Sequence, residues 1–252
     1  MIVLLLQAAY ISSQACAACH PAIARQYGET PMARSSGRVV ADLPPGVFRH
    51  GPSGVQYRIA GTHVGFERPG GLRGQREVHF YIGSGAAGRS YLVQQNGYLF
   101  QAPVTWYTQK RAWDISPGQE QQKRMRWNRP IEPNCLYCHA SLPRHISGTQ
   151  NRYDSPPFAE DGVGCERCHG PGSQHAKGAG SMVNPAKLSP RLRDDICSQC
   201  HLTGEARVNL PSKQIAMYRP GQPLNDYVAF FVYQSAAGQD LKATSHVEKL
   251  SR

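Results

Sequence analysis

The chain has 252 residues, enough for one large domain or two small ones. Only 40% of them are hydrophobic, 25 are glycine and 19 proline, and the mean hydropathy is −0.48, so the polypeptide reads as loop-rich with a thin core of its own. No run approaches the roughly 20 apolar residues of a membrane span, and 28 Lys+Arg against 17 Asp+Glu give a net charge of +11, a balance that brings nucleic acid or acidic partners into question.

In chain order, Met1-Ile-Val-Leu-Leu-Leu-Gln-Ala-Ala9 resembles a fragment of a signal h-region without a basic n-region. An incomplete start, or an apolar arm that packs elsewhere, is the other reading. Cys16-Ala-Ala-Cys19-His20 follows, and Pro21-Ala-Ile-Ala-Arg-Gln-Tyr27 continues it as a short helix. More than a hundred residues without cysteine come next. This stretch predicts a small antiparallel sheet over roughly 47–115. Val55-Gln-Tyr-Arg-Ile59 and Val78-His-Phe-Tyr-Ile82 are short and rich in β-branched and aromatic residues. Tyr91-Leu-Val-Gln-Gln, Asn96-Gly97 and Tyr98-Leu-Phe-Gln form a hairpin signature, and Pro103-Val-Thr-Trp-Tyr107 adds a further strand. Between them Gly83-Ser-Gly85-Ala-Ala-Gly88 matches G-x-G-x-x-G, but a dinucleotide site requires a helix next. A strand ending in Asn-Gly follows instead, so the glycines read as a tight inter-strand loop.

Cys135-Leu-Tyr-Cys138-His139, Cys165-Glu-Arg-Cys168-His169 and Cys197-Ser-Gln-Cys200-His201 lie in the second half. Ser189 followed by Pro190 reads as an N-cap and first helical position, opening a helix that runs into the last of them. Residues 141–164 and 202–223 read as turn-rich coil. The spacing divides the chain into an N-terminal segment (1–46) with one motif, a β-rich insertion (47–130), and a stretch with three motifs and a tail (131–252), all within one compact unit.

Every cysteine therefore sits in a Cys-x-x-Cys pair followed at once by histidine. This is the attachment sequence of c-type haem. Two thiols three residues apart reach the two vinyl groups of one porphyrin, and the adjacent imidazole binds the iron. Disulfides or zinc ribbons, pairing for instance 165/168 with 197/200, account for cysteines but leave four histidines unexplained. The expectation is four haem c groups, attached at Cys16, Cys19, Cys135, Cys138, Cys165, Cys168, Cys197 and Cys200, with His20, His139, His169 and His201 as proximal iron ligands. Four porphyrins would supply the apolar core the side chains lack, and about eight propionate charges would offset much of the +11. No nucleic-acid partner is then needed. Covalent attachment of this kind follows export, so the mature protein is expected in the periplasm or outside the cell.

Distal ligands come from six remaining histidines, His50, His63, His79, His145, His175 and His246, or from methionine. Several stretches resemble the multihaem cytochromes related to the tetrahaem electron carrier of the hydroxylamine pathway, in the branch often fused to tetratricopeptide repeats. They are Gln14 to His20, Thr30-Pro-Met-Ala-Arg-Ser35, Phe48-Arg-His50, Trp113-Asp-Ile-Ser-Pro-Gly118, Gly164-Cys-Glu-Arg-Cys-His-Gly-Pro-Gly172, Val183-Asn-Pro-Ala-Lys-Leu188 and Ser245-His-Val-Glu-Lys-Leu250. The resemblance implies that the histidine of Gly-Pro-Gly-x-x-His, here His175, is a distal ligand. It also implies that Met32 stands where relatives often carry histidine, which means either a His/Met haem, whose potential a methionine ligand raises, or a haem without that ligand. His50, His79 and His246 complete the distal candidates, with His145 and His63 behind them.

The fold class expected is a multihaem cytochrome c, mostly coil and short helices around four haems with a small antiparallel β insertion. The function expected is electron transfer along closely spaced haems, not enzymatic turnover, with redox proteins or copies of itself as partners. A subunit of an extracellular conducting filament, with homo-oligomeric stacking, is one alternative. A haem enzyme acting on a small nitrogen or sulfur compound is the other. Haem content of the purified protein, measured as pyridine haemochrome per chain, is expected to be four, falling to three on Cys197→Ala/Cys200→Ala. A wild-type value below four would reject the count.

Overall fold

The computed structural model describes residues 9–202, 204 and 206–231. His246 lies outside the described residues. Contacts divide the chain into two compact units, Pro21–Gly164 and a second formed by Met1–His20 with Cys165–Arg252. This grouping cuts across the order of motifs along the chain: the first, third and fourth share one unit, and the second stands in the other.

Helix α1 (Ser13–Cys19) belongs to the discontinuous unit. The continuous unit opens with α2 (Pro21–Gly28), where proline supplies a preset φ at the first helical position. Strands β1 (Ser36–Arg38), β2 (Gly46–Arg49), β3 (Gln56–Ala60), β4 (His63–Glu67) and β5 (Arg73–Glu77) follow. Next come β6 (Phe80–Ile82), β7 (Gly88–Gln95), β8 (Tyr98–Tyr107), β9 (Ala112–Ile115) and β10 (Arg129–Pro130). Helix α3 (Pro133–His139) and strands β11 (Ser141–His145) and β12 (Tyr153–Glu160) complete it. Back in the discontinuous unit are α4 (Glu166–His169), α5 (Pro190–His201), β13 (Ala206–Asn209) and β14 (Val228–Phe231).

Among the described residues all strand pairings are antiparallel. β1-β6-β7-β8-β10 form one sheet with β9 also on β8, and β2-β3-β4-β5 form a meander. The β7–β8 hairpin turns at Asn96 (φ 51°) and Gly97 (φ 82°), the two positive dihedrals a two-residue turn of this hand requires. Pro103 lies inside β8 as a continuation of that strand. Between Ser90↔Thr105 and Leu92↔Gln101 the β8 side carries two extra residues, and this irregularity accommodates a residue that cannot donate to the ladder. The glycine loop joins two strands, as its lack of a following helix predicts. A Cβ at Gly83 would fall 2.6 Å from the Gly88 carbonyl oxygen, so the turn closes only with glycine there.

Alternation along β7 and β8 gives the larger sheet two apolar faces. Tyr91, Val93, Ala102 and Val104 face a cluster with Tyr57, Ile59 and Val64 of the meander, capped by Trp113, whose indole N–H donates to the Pro44 carbonyl at 2.8 Å. Leu92 and Leu99 face the other way, onto Leu136 and Ala140 around α3 and onto Tyr153 and Phe158 of β12. The helix of the second haem motif is thus seated on a side-chain core. The expectation of a chain without such a core fails for this unit. In the discontinuous unit the buried apolar side chains among the described residues are few: Ile196, Ile215, Tyr218, Leu224 and Val228.

The expectation of mostly coil is also corrected. Strands extend beyond the insertion, to β1, to the β11–β12 hairpin, and to the β13–β14 pair. Prolines at 143, 156 and 157 hid the β11–β12 hairpin. Both of its strands are edges, so a missing N–H costs no central ladder bond, and the register shifts between Pro143↔Phe158 and His145↔Tyr153.

One carboxylate organises the discontinuous unit. Glu166 is 4% exposed and accepts from Ile11 N (3.0 and 2.9 Å), Ser12 N (2.8 Å) and Gly172 N (2.7 Å). Ser13 Oγ accepts from Cys165 N at 2.8 Å. The segment leading into α1 is thereby bound to α4 and to the Gly-Pro-Gly loop.

Two expectations follow. Leu99→Ala removes a fully buried side chain and should cost about 2–5 kcal/mol in chemical denaturation. A loss under 1 kcal/mol would contradict the packing of α3 on this sheet. Glu166→Gln turns a charged acceptor into a neutral one and should cost about 1–3 kcal/mol. Amide hydrogen exchange over residues 9–13 should accelerate in that variant, and unchanged protection there would count against the clamp.

Candidate haem sites

All four Cys-x-x-Cys-His motifs lie at helix ends. α1 ends on Cys19 with His20 as its C-cap, α3 and α4 end on His139 and His169, and α5 ends on His201. Residues three apart share a helical face, so each pair presents both sulfurs to one side, with the imidazole beside them. None of the eight cysteines is in a disulfide. Among the described residues no three His, Cys, Asp or Glu side chains converge on one point, so the paired motifs do not assemble a ribbon-type zinc site. Burial, helped by Cys197 nearby, pushes the Cys168 thiol up to about 11, and burial also raises Cys135.

Within the discontinuous unit the three motifs are tied to one another through the residues between their cysteines. Glu166, between Cys165 and Cys168, holds the approach to α1. Gln199, between Cys197 and Cys200, donates from Nε2 to the Arg167 carbonyl at 3.2 Å. The third motif therefore sits between the first and the fourth.

The histidines separate by what their ring nitrogens do. An imidazole that binds a metal through Nε2 donates its Nδ1–H elsewhere. His169 Nδ1 lies 2.8 Å from the Val183 carbonyl, and His175 Nδ1 lies 3.3 Å from the Gly180 carbonyl, leaving Nε2 of both available. The His20 and His175 rings are nearly parallel, 11° apart, with centres separated by 6.3 Å. Two imidazoles on opposite sides of one metal, with metal–nitrogen bonds of about 2 Å and about 1.1 Å from nitrogen to ring centre, need about that spacing. The separation of the ring centres matches that requirement.

Other candidates are placed differently. His50 is buried with both nitrogens engaged, Nδ1 with Ser53 Oγ and Nε2 with the Glu120 carbonyl, each at 2.8 Å. His79 Nδ1 accepts from Gln94 N at 3.3 Å, which puts its proton on Nε2, the opposite of a ligand tautomer. His145 Nε2 meets the Thr149 carbonyl at 2.8 Å. His63 stands on β4 beside Thr62. Met32 is 43% exposed and belongs to the continuous unit. For the second motif, burial pushes the His139 imidazole below its ordinary value, and Ser35 Oγ donates to its carbonyl at 2.8 Å. His201 Nδ1 is buried without a hydrogen-bond partner among the described residues. A cleft of about 470 Å³ beside the glycine loop is lined by Arg34, Arg89, Tyr91 and Trp106 among others, and by no cysteine or histidine. Sequence reasoning missed the roles of Glu166 and Gln199, because nothing marks the two variable positions of a Cys-x-x-Cys pair as partners of distant segments.

Three likenesses bear on these sites. Residues 101–170, which hold the second and third motifs, match the family described as cytochrome c554 and c-prime. Over 75 residues the chain is 33% identical to the multiheme cytochrome MtrA of Shewanella baltica (strain OS185), covering 27% of this chain and 22% of that protein. The outer cell wall cytochrome OcwA shares the fold over 87% of this chain and 44% of its own, with a TM-score of 0.56 at 18% identity. The chain thus spans less than a quarter of the curated relative and under half of the solved structure. Among the described residues no helix is long and apolar enough to cross a membrane. The family model and the curated relative are both cytochromes of this kind, and over the residues they match this chain is similar to the multihaem cytochromes c.

Proposed function

We propose that the chain is a tetrahaem c-type cytochrome that carries electrons among closely spaced haems, three of them gathered in the discontinuous unit. The observation that carries this reading is the pair His20 and His175, whose near-parallel rings stand 6.3 Å apart within that unit. His20 would be the proximal and His175 the distal ligand of the haem bound at Cys16 and Cys19. His139, His169 and His201 would be the proximal ligands at the other three motifs. When bound, each haem supplies a one-electron iron couple whose potential depends on ligand identity, hydrogen bonding and burial.

The chain's own residues do three things in this reading. The cysteines fix each porphyrin to a helix end. Nδ1–H bonds to Val183 and Gly180 carbonyls orient His169 and His175 and raise their basicity toward the metal. Glu166 and Gln199 hold the first, third and fourth motifs side by side, and this supports a path first–third–fourth among their haems. His175 as distal partner of His20 leaves no need for Met32 at that haem. Attachment after export places the working protein in the periplasm or outside the cell, with other redox proteins or further copies of itself as partners. The chain's role is transfer rather than catalysis.

His175→Ala should leave haem content unchanged and convert one low-spin ferric signal to high-spin in electron paramagnetic resonance. His175→Met should retain a low-spin haem at a higher midpoint potential. A His175→Ala protein in which every haem stays low-spin would reject the assignment. A large high-spin signal in the unmodified protein would favour an open haem and a reactive site instead.

A further inference from the structure

Tyr218 follows the short 3-10 turn Ile215–Met217 and is 2% exposed. Its ring meets Tyr227 edge-on at 5.8 Å. Tyr227 in turn caps the 3-10 turn Leu224–Asp226, anchored to α5 by Leu224 N donating to Asp195 Oδ2 at 3.0 Å. The Tyr218 hydroxyl is buried and has no hydrogen-bond partner among the described residues. Leaving such a group unpaired costs about 1–3 kcal/mol, and this unit has few apolar side chains with which to offset it.

The surroundings indicate the chemistry of a partner for this hydroxyl. Tyr227, which its ring meets, caps a turn bonded to Asp195 of α5, two residues before Cys197, and Gln199 of α5 donates to the Arg167 carbonyl beside Cys168, so the hydroxyl stands near the place where the third and fourth motifs adjoin; Asp195, Cys168 and Cys197 also act on it electrostatically. Burial pushes the phenol above its ordinary value, so the oxygen keeps its proton and can act as a donor. Thioether sulfur is a weak acceptor. The strong acceptors that a porphyrin tethered at these cysteines brings are its propionate carboxylates, and a buried carboxylate needs a donor as much as a buried donor needs an acceptor.

We propose that Tyr218 Oη donates a hydrogen bond to a propionate of the haem held at the third or the fourth motif and raises that haem's reduction potential. The inference rests on the haem-attachment reading of those motifs. An ionised propionate near the iron favours the ferric state, and a hydrogen bond that disperses its charge weakens that preference. Tyr218 is a tuning residue and touches no iron.

Tyr218→Phe removes one oxygen atom and keeps the ring that packs on Tyr227. In the full-length haem-loaded protein, spectroelectrochemical titration should show one haem whose oxidised-to-reduced ratio at fixed potential rises roughly threefold to tenfold, the scale of one charge-assisted hydrogen bond. Haem content and low-spin character should not change. In resonance Raman spectra the propionate bending band of that haem should move. In the unmodified protein the same band should move on transfer from H2O to D2O, a reading independent of how the variant folds. A Tyr218→Phe protein with full haem content, unaltered potentials and unaltered propionate bands would overturn the proposal. So would a wild-type band insensitive to D2O. A haem count short at the third or fourth motif would instead overturn the attachment reading itself.

Discussion

The carboxylate of Glu166 is the interaction on which the discontinuous unit depends. A carboxylate 4% exposed is tolerable only where donors surround it, and here the donors are three backbone N–H groups, those of Ile11, Ser12 and Gly172. Two of them lead into α1 and one belongs to the Gly-Pro-Gly loop that precedes His175. One side chain therefore sets two segments, far apart in sequence, against the same helix. The spacing of His20 and His175 follows from that, since each imidazole lies within eight residues or so of an amide that Glu166 holds. Gln199 extends the same logic to α5 through the Arg167 carbonyl. In both cases the contact comes from a position between two cysteines, so attachment point and inter-motif contact share a single helical turn.

The two units answer the problem of a core in different ways. The continuous unit is an ordinary protein interior: two sheets with alternating side chains, a Trp113 anchor, and α3 resting on Leu92 and Leu99. Its one motif is mounted on a scaffold that needs no cofactor to cohere. The discontinuous unit carries three motifs on short helices with five buried apolar side chains among the described residues. In the proposed reading porphyrin faces fill this frame, and buried atoms of His201 and Tyr218 that have no partner among the described residues lie in it.

Ring nitrogens give a physical criterion for sorting histidines that residue type alone does not. His169 and His175 direct Nδ1 to backbone carbonyls and keep Nε2 for a metal. His50 and His145 give Nε2 to the protein, and His79 holds its proton there. These three histidines fasten loops and strands of the continuous unit. His50, for example, ties the end of β2 to the Glu120 carbonyl.

Much was legible in the sequence because it is local. Cys-x-x-Cys-His is a pentapeptide whose chemistry depends only on spacing along one helical turn. Asn96-Gly97 sets a turn from two dihedrals, and Pro190 opens α5 from one. The β11–β12 hairpin was not legible, because proline at an edge strand looks locally like proline in a loop, and only pairing tells them apart. By itself the sequence determined where the four Cys-x-x-Cys-His motifs lie, through cysteines and histidines that need no distant partner to be recognised. The tertiary structure alone decided which motifs are neighbours, which histidine faces which, and which unit has a core of its own. Those outcomes rest on contacts such as Glu166 to Ile11 and Gln199 to Arg167, between residues whose separation along the chain carries no trace of their proximity in space.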